Sequence, residues 1–122
     1  MGFTYHAHYF AWCEMARSEL FREAGLPYTE LEKQGVFLPV VEAKLRYLTP
    51  LKYEDVVTVD VTVAYFKGGF IRFDYQINRG TSKEKAVLAA EGYTVHAFVD
   101  AAGDPIPAPA EVVALVKGIS GT

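Results

Sequence analysis

The sequence predicts an α+β domain in which an antiparallel sheet wraps around one long helix, and three observations carry that expectation. Apolar residues recur at three- and four-residue spacing from about Tyr5 to Ala24, the period of a helix with one buried face. Three later stretches alternate apolar and polar residues instead, the period of a strand buried on one side, and a fourth strand follows a polar turn. Short polar turns join these stretches, so a run of strands follows a single helix.

In the helix, Tyr9, Cys13, Ala16, Leu20 and Ala24 share one face, and Gly25 followed by Pro27 supplies the stop. Its second half is amphipathic, with Ser18, Glu19, Arg22 and Glu23 turned to water. Its first half is apolar on nearly every side, with Phe10, Ala11, Trp12, Cys13 and Met15 surrounding the single charge of Glu14. A helix apolar all round is enclosed all round, which one sheet cannot achieve. A second subunit is therefore expected, giving a homodimer that pairs further into a tetramer.

A short linking stretch leads to the first strand, where Val41, Ala43, Leu45 and Tyr47 alternate with Glu42, Lys44 and Arg46. Pro50 and Glu54-Asp55 mark a turn. Val57, Val59, Val61, Val63 and Tyr65 form the apolar face of the second strand. Gly68-Gly69 is a hairpin signal, followed by Ile71, Phe73, Tyr75 and Ile77. A polar turn from Arg79 to Lys85 precedes the last strand, about Ala86 to Val99. The stretch from Pro105 to Pro109 introduces a short helix or a frayed tail from Ala110 to Lys117.

Composition removes several functional classes. The 122 residues suit one domain with a real core, and 51% hydrophobic with 14% aromatic content argues against disorder. A net charge of −3 with no clustered Lys/Arg run argues against a nucleic-acid partner. No apolar run approaches the length of a membrane span. The opening lacks the basic-then-apolar layout of a secretory signal, and His6 stands where a myristoylation motif needs Ser or Thr. The lone cysteine, Cys13, cannot form an intrachain disulfide, which fits a reducing compartment. A cytoplasmic location is the expectation.

Particular residues then point further. They are Gly2, Tyr5-His6-Ala7, Tyr9, Trp12, Glu14, Ala16-Arg17 and Glu19 around the helix, then Gly25, Tyr28, Leu31-Glu32 and Leu38 to Glu42, followed by Tyr47, Pro50, Asp55 and the closing EGYTVHAFVD. Over most of the chain this pattern resembles the 4-hydroxybenzoyl-CoA thioesterase-like family of hotdog-fold acyl-CoA thioesterases, in particular its YbgC-type branch. His8 stands where that branch has Asn. The resemblance implies an enzyme that hydrolyses acyl-CoA to free acid and CoA without a cofactor. In the family a strand ending in Thr-Asp-x-x-Gly precedes the helix, and its Asp is the catalytic carboxylate. Aligning that Gly on Gly2 puts the Asp two positions before Met1. The expectation is thus a single hotdog domain over 1–122 that lacks the family's first strand and its Asp. The alternative is an impaired module that binds acyl-CoA or only assembles.

Thioester hydrolysis needs a group that activates water and donors for the developing oxyanion. The start of a helix can supply the donors, and the family alignment assigns that role to the backbone N–H of His6. Tyr5 is expected to line the pocket or bond the family Asp, with Gly2 and Tyr9 against the substrate. Glu14 is the acid left near the helix start; it either pairs with Arg17, three residues on, or serves as a substitute carboxylate. His6 and His8 lie two apart, about 200° around a helix axis, and so cannot easily share a metal ion even with His96 as a third ligand. No metal is expected. His8 reads as a surface or interface residue, His96 as core or interface, Cys13 as core, and Asp60 and Asp74 as solvated. Lys67, Arg72, Arg79, Lys83 and Lys85 gather near the later turns, where some could meet the CoA phosphates.

Overall fold

The computed structural model describes residues 6–51, 55–80 and 86–120. Helix α1 runs over His6–Glu23 and a second, short helix α2 over Tyr28–Lys33. Strands β1 (Val40–Tyr47), β2 (Val57–Lys67), β3 (Phe70–Arg79) and β4 (Val87–Ala97) follow, and α3 (Ala110–Ser120) closes the chain. The ends of α1 obey the sequence signals. Gly25 takes φ of 92°, Leu26 N–H reaches back to the Phe21 carbonyl and Gly25 N–H to that of Arg22, the paired bonds of a Schellman stop. Pro27 then opens α2, which the sequence reading passed over as a linker.

The four strands form one antiparallel sheet in the order β1-β4-β3-β2. Gly68 and Gly69, both at positive φ, make the tight turn between β2 and β3 that the Gly-Gly pair predicts. The strands are thus not neighbours in chain order throughout. β1 lies beside β4, and the connection to β2 carries the chain from one edge of the sheet to the other.

α1 lies over β2 and β3. β3 shows the expected alternation, with Ile71, Phe73, Tyr75 and Ile77 all buried. Phe21 of α1 meets Phe73 at 5.9 Å and Tyr28 at 5.1 Å between ring centres, joining both helices to the sheet. In β4 a bulge falls between its pairings with Ile77 and Asn78, so that consecutive Ala89 and Ala90 are both buried. β1 departs from expectation. Val41, Ala43 and Tyr47 are exposed and only Leu45 is half-buried, because α1 lies over β2 and β3 and leaves β1, at the opposite edge of the sheet, largely uncovered. The first half of α1 is likewise open on one side, with Met15 68% exposed.

Candidate active site

His6 is the first residue of α1. Its peptide N–H lies in the turn for which the helix itself offers no acceptor, at the positive end of the dipole. No acidic side chain occupies that first turn, so the helix start keeps its preference for negative charge. Gly2 and Tyr5 lie outside the described residues. Tyr9, one turn into the helix, is a core residue. Its ring meets Tyr47 of β1 edge-on at 4.9 Å and lies 5.3 Å from Trp12. Burial, reinforced by Tyr47, holds its hydroxyl above the ordinary phenol range, against a backbone hydrogen bond at Leu51. Tyr9 therefore forms a wall behind the helix start rather than an open surface.

Glu14 is exposed and stands between two hollows. On one side is a groove of about 610 Å³ between α1 and β2, walled by Trp12, Met15, Val57 and Val59. On the other is a cavity of about 170 Å³ reaching Arg17, Tyr28, Glu32 and Leu38. A carboxylate at the mouth of an apolar groove can take a proton from water there. The expected Glu14–Arg17 pair does not form. Arg17 is turned into the protein, where Nε donates to the Tyr28 hydroxyl at 3.1 Å and Nη1 to the Tyr75 hydroxyl at 3.0 Å.

The remaining candidates separate cleanly. Cys13 is buried in the core, and burial pushes its thiol up to about 11, so it stays protonated at neutral pH. His8 is exposed, its ring 6.4 Å from Trp12. His96 is fully buried, with Nδ1 at 2.9 Å from the Leu38 carbonyl and Nε2 at 2.9 Å from the Thr94 hydroxyl. Both ring nitrogens are thereby occupied.

A sequence profile of the thioesterase-like superfamily matches residues 1–116. The chain belongs to that superfamily. It is 35% identical over 77 residues to YneP of Bacillus subtilis, a stretch covering 63% of this chain and 56% of that protein. To the acyl-CoA thioesterase YbgC of Haemophilus influenzae it is 32% identical over 81 residues, 66% of this chain and 60% of that one. The matched stretch is thus under two thirds of the length of either relative. Among solved structures, the DHNA-CoA thioesterase of Staphylococcus aureus superposes with a TM-score of 0.88 at 26% identity, covering 99% of this chain and 81% of that one. The hotdog fold and the family membership expected from the sequence are both borne out.

Within the thioesterase fold the later cations are unevenly placed. Arg72 bonds Asp74 at 2.9 Å and stacks on Tyr93 at 3.9 Å, so it is committed to the outer face of the sheet. Asp60, in turn, accepts from Asn78 at 3.3 Å. Lys67 is exposed and Arg79 half-buried, while Lys83 and Lys85 lie outside the described residues. The sequence reading missed Arg17, Tyr28, Tyr75 and Thr94 as one polar group. An Arg on the buried side of the helix was the available signal, since a charge enclosed there requires partners.

Proposed function

We propose that this chain hydrolyses acyl-CoA thioesters, working in the cytoplasm as a homodimer that pairs into a tetramer. The observation that carries the reading is the start of α1 at His6 with no acid in its first turn, in a chain of the thioesterase-like superfamily. Water attacks the thioester carbonyl, and the tetrahedral oxyanion accepts a hydrogen bond from the His6 N–H. The C–S bond then breaks, and the CoA sulfur takes up the proton that water gave to the base. The helix start favours the oxyanion more than the neutral carbonyl, which is the differential stabilisation catalysis requires. The family motif assigns Gly2 and Tyr5 to the substrate, and Tyr9 backs the helix start. Within the chain the base is assigned to Glu14, a reading supported by the apolar groove beside it, which suits an acyl group. An Asp three residues before Gly2, as in the family motif, is the stronger base. No metal or cofactor enters the scheme.

Purified protein is assayed against a panel of aliphatic and aromatic acyl-CoAs, with release of the CoA thiol as readout. Slow hydrolysis is expected from the 122-residue chain. A form extended by a strand ending in Thr-Asp is expected to gain at least about a hundredfold, the scale of general-base help. Asn in place of that Asp should cancel the gain. Full activity in the shorter chain that Glu14→Gln abolishes would assign the base to Glu14. Saturable binding with no turnover in either form would replace hydrolysis by acyl-CoA binding.

A further inference from the structure

Arg17 is only 7% exposed, and among the described residues no ion pair reaches its guanidinium. A buried cation held by neutral groups alone is costly beside an apolar residue of similar size, so its partners should explain its presence. From Tyr75 the contacts continue to Thr94 Oγ1 at 2.6 Å, from there to His96 Nε2 at 2.9 Å, and from His96 Nδ1 to the Leu38 carbonyl at 2.9 Å.

The two ends fix every direction in between. A carbonyl only accepts, so Nδ1 of His96 carries the proton and Nε2 accepts. Thr94 must then donate to His96 and accept from Tyr75, which in turn accepts from Arg17, a group that only donates. The result is one unbroken relay from α1 through β3 and β4 to the residue pair just before β1. The apolar packing of α1 over β2 and β3 is non-directional and tolerates small slides; a relay with every donor assigned admits one arrangement.

We propose that Arg17 is a positioning residue, whose relay through Tyr75, Thr94 and His96 to Leu38 sets where α1 lies on the sheet and so where the His6 N–H and Glu14 meet the thioester. The proposal rests on the hydrolytic reading above. Arg17 follows Glu14 by one turn and lies about 16 Å along the helix from His6 at 1.5 Å per residue. A helix transmits a slide of its middle to its start, and a displacement of about 1 Å at a reacting centre can cost on the order of a hundredfold in rate.

The test compares Thr94→Val, which removes both hydrogen bonds, with Thr94→Ser, which keeps them. With benzoyl-CoA as probe, Thr94→Val should lower kcat by about 10- to 100-fold and leave KM within roughly threefold, while Thr94→Ser restores the parent rate. The His6 amide resonance should move in Thr94→Val and return in Thr94→Ser. In protein labelled with ¹⁵N-histidine, His96 should show the Nδ1–H tautomer. If Thr94→Val fails to fold, Tyr75→Phe, which keeps the ring, serves the same comparison. A variant that melts earlier but keeps kcat and the His6 resonance would overturn the proposal, as would an Nε2–H tautomer at His96. Should the parent hydrolyse no thioester, the hydrolytic reading fails on that result alone, and the His6 resonance and the tautomer still decide whether the relay positions α1.

Discussion

At His96, burial decides the protonation state. The side chain is wholly enclosed, and loss of hydration pushes its pKa down to about 4, against the hydrogen bond to Leu38 and with a smaller push from the Arg17 charge. The unfolded chain takes up a proton near the ordinary value of about 6.5, whereas the folded chain does so only near 4. Stability from this residue is therefore complete above about pH 6.5 and is lost progressively as pH falls toward 4. Its order of magnitude is about 3 kcal/mol, from the gap between the two values. The urea midpoint of the parent should fall across that window more steeply than that of His96→Gln; parallel profiles would refute the assignment. That His96 sits on a strand, in a core or interface place, was legible in the sequence. The partners of Arg17 were not. Helical spacing reveals only neighbours on the same helix, such as Glu14, whereas Tyr75 lies 58 positions away and meets Arg17 only through tertiary packing.

For the elements, periodicity and alternation identified α1 and β1 to β3, β4 was placed as the strand after the polar turn, α3 was expected as a short helix or a frayed tail, and the Gly-Gly turn fixed the β2–β3 pairing. The order of the strands was hidden, because alternation reports which face a residue occupies and not which strand lies beside it. Gly92 shows how tight the unexpected β1–β4 pairing is. A Cβ built there would fall 1.9 Å from the Lys44 carbonyl oxygen and 2.8 Å from Leu45 Cα, both main-chain atoms of β1. Neither can rotate away, so Gly92→Ala must push the two strands apart. The expected loss is about 1–3 kcal/mol, as for overpacking a core, or roughly 5–15 °C in melting temperature. The first amides to lose exchange protection should be those of Val40–Tyr47. An unchanged melting temperature would show that the strands separate without cost.

For the whole molecule, the protomer leaves apolar surface in two places that the sequence reading marked for enclosure. Along edge strand β1 and just past it, Val40 is 50% exposed, Val41 55%, Tyr47 37% and Leu48 44%. On α1, Phe10 and Met15 also face outward. An uncovered, valine-rich edge strand is a template for pairing with another chain, and β1 carries no proline to blunt it. Isologous pairing about a two-fold axis would place β1 beside its own copy and continue the sheet across both protomers. On this reading the enclosure expected for α1 and β1, which the single chain does not supply, would be completed between subunits. Light scattering at micromolar concentration should give at least twice the chain mass. Val41→Lys places a charge on that edge and should shift the protein toward monomer, with a loss of thermal stability that rises on dilution. A parent that scatters as a stable monomer, or a Val41→Lys variant that assembles as the parent does, would remove β1 as the joining edge.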